Sequence, residues 1–358
     1  MSKGRVLMAM SGGIDSTMAS LILHESGYEV IGLTMKTWDY SSSGGNKKET
    51  GCCSLDAIND ARKLAVDCGF PHTILDIRDE FGDYIIDNFV EEYIAGRTPN
   101  PCVLCNTHIK WEALLKRADM LGCKYIATGH YAQLRYENSR YVVSKGLDNN
   151  KDQSYVLWGV KQECLARTIF PMGGYHKEDI KKMAISRGYK DLAAKSESYE
   201  ICFIPDNDYP KFIAKQLNDD AFKQGEIVNS KGDVLGTHQG YPAFTIGQRK
   251  GLNLGGLKEP HFVTHIDPAN NRITVGTKKE LERANCVVGQ VTWSLDVKES
   301  TRADVQIRYR HQSVPAKIVK INDSRVRVEF DQPQISVAPG QSAVFYQEDC
   351  VIGGGWLE

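Results

Sequence analysis

Ser11-Gly12-Gly13-Ile14-Asp15-Ser16 has residue types suited to holding an anion. Two glycines let the backbone bend and approach a ligand without a Cβ in the way. The apolar run Val6–Met10 comes before it, and a helical pattern with Met18, Leu21 and Ile22 on one face comes after it. The Ser16 hydroxyl and the first amides of that helix then converge where the helix dipole favours negative charge. The loop matches neither G-x-x-x-x-G-K-[ST] nor G-x-G-x-x-G, so it is not a Walker A loop or a dinucleotide fingerprint. A plain strand-to-helix turn with a Ser or Asp cap is the bland alternative. The full hexapeptide, placed between strand and helix, favours the anion.

Ten cysteines in 358 residues are too few for a disulfide scaffold. Only Cys102 and Cys105 form a C-x-x-C pair, a spacing that serves metal binding, disulfide exchange or catalysis. Cys68, Cys123, Cys164, Cys286 and Cys350 stand singly among apolar neighbours and read as core or incidental. Cys52 and Cys53 are adjacent, a poor arrangement for converging on one metal, at the end of a Ser-, Gly- and Lys-rich stretch that reads as a mobile loop.

The elements that must position these residues alternate. Val6–Met10, Val30–Met35, His72–Ile77 and Tyr125–Thr128 read as strands, while Ser16–His24, Leu55–Cys68 and Ile109–Leu121 read as helices. That alternation implies an α/β fold, a parallel sheet with helices on both faces. After about residue 210 the character changes. Gly225–Gly236 reads as a hairpin around Asn229-Ser230-Lys231-Gly232, and Ser324–Phe330 alternates polar and apolar. Short strands at turn-separated intervals suggest a small mixed or β central domain and then a β-barrel. The expected division is 1–210 for the α/β domain with the anion-holding loop, 211–280 for a central linker domain and 281–358 for the barrel.

A hydrophobic share of 41% and a charged share of 25% exclude wholesale disorder. The net charge of −1 excludes a polycation, but local patches decide nucleic-acid binding. One such patch runs from Arg302 to Arg327, with seven Lys or Arg against two Asp and Tyr309 among them. No apolar window is long enough to span a membrane, and the N-terminus lacks a signal peptide's length and cleavage site. A cytoplasmic protein is expected.

Ser11–Ser16 resembles the PP-loop of ATP pyrophosphatases, which cleave ATP between the α and β phosphates and adenylate a carbonyl oxygen. Further motifs follow in order: Asn100-Pro101-Cys102-Val103-Leu104-Cys105-Asn106, Ala127-Thr128-Gly129-His130-Tyr131, Lys151-Asp152-Gln153-Ser154-Tyr155, Ile201-Cys202-Phe203-Ile204, Gly247-Gln248-Arg249-Lys250-Gly251 and Pro339-Gly340-Gln341-Ser342-Ala343-Val344. Together they resemble the bacterial tRNA-specific 2-thiouridylase family over nearly the whole chain.

That resemblance implies ATP-dependent 2-thiolation of the wobble uridine, U34, in the tRNAs for Lys, Glu and Gln. Adenylation turns the C2 oxygen into part of a good leaving group, AMP, which sulfur displaces. It implies that Ala9, Met10, Ser11, Gly12, Gly13, Ile14, Asp15 and Ser16 bind ATP with Mg²⁺. Met35 would lie against adenine, and Gly129 would allow close approach to the nucleotide. Asn100, Pro101 and Cys102 would contact a flipped target base. His130, Lys151, Asp152 and Gln153, with Arg308, Tyr309 and Gln341 of the barrel, would contact tRNA. A cysteine desulfurase or sulfur-relay protein would deliver sulfur, and no membrane is involved.

The resemblance also implies two reactive cysteines, Cys105 as the nucleophile and Cys202 as the persulfide carrier. Cys105 is expected at the start of the Ile109–Leu121 helix, where a thiol pKa falls. The chain departs from the family's Asn-Pro-Asp-x-x-Cys-Asn motif, because Cys102 stands at the Asp position. Ser198-Tyr199-Glu200 likewise replaces Ser-Thr-Gly before Cys202. Three thiolates, Cys102, Cys105 and Cys202, make a candidate [4Fe–4S] site with one open iron, while oxidation would pair Cys105 with Cys202 in a disulfide. The rival readings are another PP-loop adenylating thiolase or amidating ligase, and a tRNA-binding or sulfur-carrier protein without catalysis.

Overall fold

The computed structural model describes residues 2–38, 55–195, 201–204, 206–217, 222–256 and 259–358. Cys52, Cys53, the Tyr40–Gly51 stretch and Ser198–Glu200 lie outside them. The chain gathers into two compact units. One comprises Met1–Ile85, Cys102–Asn207 and Asp349–Ile352, and the other Ile86–Pro101, Asp208–Glu348 and Gly353–Glu358.

In the first unit β1 (Arg5–Ala9), β2 (Glu29–Lys36), β3 (His72–Asp76) and β4 (Tyr125–Ala127) precede a hairpin of β5 (Ala132–Glu137) and β6 (Arg140–Lys145), then β7 (Thr168–Ile169). The sheet runs β3-β2-β1-β4-β7, with every pairing parallel. Val6, Leu7 and Met8 of β1 have no exposed surface, as expected of a central strand covered on both faces. Helices α1 (Ile14–Glu25), α2 (Leu55–Cys68), α3 (Trp111–Met120) and α4 (Lys177–Ser186) accompany the sheet. Helix α2 buries Ile58, Ala61, Leu64 and Ala65, the face its periodicity marks. Ala61, Leu64 and Ala65 join Met18, Leu23, Ile180 and Ala184 in one core.

One element begins earlier than its pattern suggests. The helix expected from Ile109 is preceded by helical turns at Pro101–Cys105 and Asn106–Lys110, the latter π-helical, before α3. Proline suits the first position of a helix, since its missing N–H has no helical partner there. Val103, Trp111, Leu114 and Ala118 are all buried and carry the apolar face through the π turn. Cys105 therefore lies a turn inside the run, and Cys102 is the cysteine near its start.

The second unit opens with the helix Asp87–Ile94, which buries Phe89, Val90 and Tyr93. Tyr93 stacks on Tyr209 with ring centroids 4.7 Å apart. The expected hairpin forms as β8 (Gly225–Val228) and β9 (Val234–His238), turned by Asn229, whose Oδ1 accepts from the Lys231 and Asp233 amides. With β10 (Phe262–Asp267) and β11 (Arg272–Gly276) these make a sheet in the order β10-β11-β8-β9. The barrel follows: β12 (Arg283–Trp293), β13 (Ser300–Gln306), β14 (Val314–Asn322), β15 (Arg325–Gln334), β16 (Ser342–Gln347) and β17 (Cys350–Leu357). Its order is β12-β15-β14-β13-β16-β17, and β17 pairs back onto β12 to close it. Val326, Val328 and Phe330 point inward from β15, as its period-two pattern requires.

Candidate active site

The Ser11–Ser16 loop leaves β1 and enters α1 at Gly13, an extended N-cap residue with no side-chain capping bond. The first amides of a helix have no partner within it, so these remain for a ligand. The Ser11 amide donates to Ser16 Oγ at 3.1 Å, and that hydroxyl donates to the Gly13 carbonyl at 3.1 Å. The loop is thus tied across its own mouth by the serine the sequence singles out. Gly12 has φ +69°, and a Cβ there would lie 2.1 Å from the Ala57 carbonyl oxygen. Met10 and Ile14 are buried in the core, so they shape the loop from below while Ser11 stays exposed. Gly129 sits against the loop, since a Cβ would come within 3.1 Å of the Ser16 nitrogen. Its close approach is to the backbone that would hold the nucleotide.

Asp15 is held by Tyr131, from one of the ordered motifs, and by Lys177, which none of them contains. Lys177 Nζ lies 2.6 and 2.8 Å from its two carboxylate oxygens, and the Tyr131 hydroxyl donates to Oδ1 at 2.7 Å. The Lys177 side chain is only 5% exposed, so its charge has been moved out of water, and Asp15 offsets it in part. Lys177 opens α4, and its amide donates to Asp148 Oδ2 at 3.0 Å.

The polar segment after β6 serves the same end. Gln153 Oε1 accepts from the Tyr131 amide at 3.0 Å, and the Gln153 amide donates to the Tyr131 carbonyl at 2.9 Å. The Asp152 carboxylate accepts from the Gly146 and Ser154 amides and the Ser154 hydroxyl. Burial raises the Asp152 pKa, against the lowering effect of those bonds. The Lys151 amide donates to the Asp148 carbonyl at 2.9 Å. His130 is packed with its ring centroid 5.5 Å from that of Trp111, and its Nδ1 lies 2.7 Å from Thr128 Oγ1. Burial, then the positive charge of Lys110, holds the His130 pKa well below its usual value, so the ring is neutral.

Cys102, Cys105 and Cys202 are free thiols. Cys102 touches solvent as a residue, yet protein surrounds it closely enough that burial raises its thiol pKa, with Lys110 opposing. Among the described residues no three His, Cys, Asp or Glu side chains form a group able to hold a metal. As placed among the described residues, the three cysteines do not form the donor set that a [4Fe–4S] cluster needs. Met35, on β2, pairs with Leu75 of β3 and is partly buried.

In the second unit Gln341 Nε2 donates to the carbonyls of Thr98 and Pro99, each at 3.0 Å, in the stretch just before Asn100. The barrel strip is less basic than its sequence count. Arg302 pairs with Asp331, Lys317 with Glu329 and Arg325 with Glu358. All three acids lie beyond the Arg302–Arg327 window and arrive by strand pairing or at the chain end. Arg308, Tyr309 and Arg310 are exposed, with the Arg310 guanidinium 5.6 Å from the Tyr309 ring centroid.

A parallel sheet carrying a Ser-Gly-Gly-x-Asp-Ser loop at the mouth of its first helix defines the PP-loop class of nucleotide-binding domains. Residues 4–206 match the model described as tRNA methyl transferase HUP domain, residues 210–277 the tRNA methyl transferase PRC-barrel domain and residues 283–357 the Aminomethyltransferase beta-barrel domain. The tRNA-specific 2-thiouridylase MnmA of Amoebophilus asiaticus is 57% identical, covering 100% of this chain and 96% of its own. The protein of the same name from Cytophaga hutchinsonii is 56% identical over 99% of this chain and 98% of its own, and that of Salinibacter ruber 52% over 99% and 94%. A 4-thiouridine synthetase solved with RNA and bound ATP is matched at TM-score 0.37 and 16% identity, over 60% of this chain and 51% of its own. The chain belongs to the tRNA-specific 2-thiouridylase family. Among the described residues no helix is long and apolar enough to cross a membrane.

Proposed function

We propose that the chain catalyses ATP-dependent 2-thiolation of U34 in the tRNAs for Lys, Glu and Gln. The observation that carries this reading is the Ser11–Ser16 loop, with Asp15 fixed by Lys177 and Tyr131. Loop amides and the α1 dipole bind the ATP phosphates, with Mg²⁺ arriving on the nucleotide. The uracil C2 oxygen attacks the α phosphorus, pyrophosphate leaves, and the oxygen becomes part of AMP as leaving group. A cysteine desulfurase or sulfur-relay protein loads Cys202 as a persulfide. Its terminal sulfur attacks C2, and AMP departs with the oxygen. The Cys105 thiolate then attacks the Cys202 sulfur of the C2–S–S–Cys202 link. This releases 2-thiouridine and leaves a Cys105–Cys202 disulfide, which a dithiol reduces.

Asn100, Pro101 and Cys102 receive the flipped base, and Arg308 and Tyr309 meet the tRNA backbone. The test is incubation with ATP, a sulfur source and unmodified tRNA. Thiolated uridine and AMP in equal amounts support the reading. AMP formation on a small metabolite instead of tRNA favours the amidating-ligase alternative.

A further inference from the structure

We propose that Asn106 is a positioning residue for Cys105, holding the turn that carries the nucleophile against the segment that braces the nucleotide loop. This rests on the thiouridylase reading of Cys105. Asn106 follows Cys105 directly and is only 2% exposed. Its Nδ2 donates to the Val156 carbonyl at 3.0 Å. A carbonyl can only accept, so this bond fixes which way the amide faces. Its Oδ1 is buried and, among the described residues, has no hydrogen-bond partner. An unpaired buried acceptor costs stability that an apolar side chain of similar size would not. What the residue does there is done by its NH₂ end.

The backbone also leaves the regular helix at this point. The Asn106–Lys110 turn is π-helical and joins the Pro101–Cys105 turn to α3. Such turns are rare, and they often stand at functional sites. This one is packed against the 3₁₀ turn Ser154–Leu157 and the residues after it. Gly159 permits the approach, since a Cβ there would stand 2.3 Å from Thr107 Oγ1 and 2.8 Å from Thr107 Cγ2.

The same 3₁₀ turn is bonded towards the nucleotide loop. The Val156 amide donates to the Gln153 carbonyl at 3.2 Å. Gln153 is bonded twice to Tyr131, whose hydroxyl reaches Asp15. The short stretch 153–156 therefore lies between the loop suited to ATP and the turn that carries Cys105. Asn106 makes the link on the cysteine side. Adenylation needs the first and sulfur release the second, so a fixed spacing between them serves the reaction.

The test is Asn106→Leu, which removes the donor and the unpaired oxygen without adding charge. At saturating ATP, tRNA and persulfide donor the thiolation rate constant should fall about 10–100-fold, the loss expected when a reacting group is displaced by about 1 Å. A single turnover of pyrophosphate release on tRNA should stay within about threefold, since the nucleotide loop keeps its own bonds. An unchanged thiolation rate would overturn the proposal. Equal losses of pyrophosphate release and thiolation would also overturn it, because they mark a general loosening. Gly159→Ala pushes on the same π turn through Thr107 and leaves Asn106 in place. It should show the same split, and normal thiolation there would count against the proposal. Peptide hydrogen exchange over 105–111 gives an arm independent of activity. Faster exchange there in Asn106→Leu, with α1 unchanged, supports the positioning role, and unchanged exchange refutes it. If the unsubstituted enzyme thiolates no tRNA, the functional reading fails while this arm still decides whether Asn106 holds the Cys105 turn.

Discussion

The Lys177 ammonium lies 2.6 and 2.8 Å from the two carboxylate oxygens of Asp15, a residue 162 positions earlier in the chain. The pair ties the first turn of α1 to the first residue of α4, and so helps fix the loop. Removing Lys177 takes the cation from beside Asp15, which keeps the Tyr131 hydroxyl. Lys177→Met should lower stability by about 3 kcal/mol, the low end for a broken buried pair because Asp15 is a third open to water. AMP formation should fall at least about 100-fold as the loop loses its set position. Lys177→Met with Asp15→Asn should recover much of the stability and none of the activity. Thermal unfolding beside an AMP assay separates the two effects.

Gly12 and Gly129 should fail differently. Gly12→Ala needs a side chain at φ +69° with its Cβ 2.1 Å from a main-chain oxygen, so α2 must move. That variant should lose ATP binding and melt earlier. Gly129→Ala asks the Ser16 backbone to give by only a few tenths of an ångström. It should fold normally and raise the KM for ATP by about tenfold, the equivalent of about 1.4 kcal/mol. Equal behaviour of the two variants in calorimetry with ATP would contradict this geometry.

The parallel sheet was legible because β1 and α2 carry clean periodicities beside glycine-marked turns. The loop was legible because its residues are contiguous. Lys177 was not, since by sequence it is one more lysine at a helix start, and only the fold brings it to Asp15. The barrel strip misled in the opposite direction. Its positive count ignored Glu329, Asp331 and Glu358, which strand pairing and the chain end deliver to it. Cys105 reads as a helix start only because the apolar pattern begins at Ile109, whereas Pro101, well suited to open a helix, starts the helical turns earlier.

That pairing makes two barrel arginines unequal. Arg308→Ala should weaken tRNA binding and reduce the slope of log K against log salt by about one. Arg302→Ala, already neutralised by Asp331, should change the slope by much less. Filter binding across a salt series checks both, and equal slopes for the two variants would argue against the exposed 308–310 loop as the phosphate contact.

His130 carries a pH prediction whose sign is fixed by burial. Its folded pKa is depressed, while the unfolded chain takes up a proton near 6.5. The unfolded state therefore binds more protons below that pH, and stability falls as pH drops, by up to about 1.4 kcal/mol per pH unit for this one group. Above pH 7 the contribution is fully present. His130→Gln should flatten the stability profile between pH 6.5 and 5, and should leave the activity profile between pH 7 and 8 unchanged because the ring is already neutral there. Denaturant unfolding at several pH values reads the first effect. An unaltered acid limb would show that His130 does not carry it.

Cys102 stands where the resembled motif has Asp, and its surroundings say what it can do. Burial raises its thiol pKa, so at neutral pH the group is a small neutral thiol and not a ready nucleophile. The described residues offer no three-sided donor set that would use it as an iron ligand. Cys102→Asp should therefore keep thiolation within about tenfold, with the new carboxyl subject to the same burial. Cys105→Ala and Cys202→Ala should each abolish thiolation while a single turnover of pyrophosphate release on tRNA continues, since adenylation precedes sulfur transfer. Anaerobic treatment with iron and sulfide should raise the activity of neither wild type nor Cys102→Asp when a persulfide donor is supplied. The contrary result would be a brown protein whose thiolation with free sulfide rises on loading and collapses in Cys102→Asp. That outcome would require the three cysteines to close on iron by a movement of the 101–105 turn, and would replace the persulfide route.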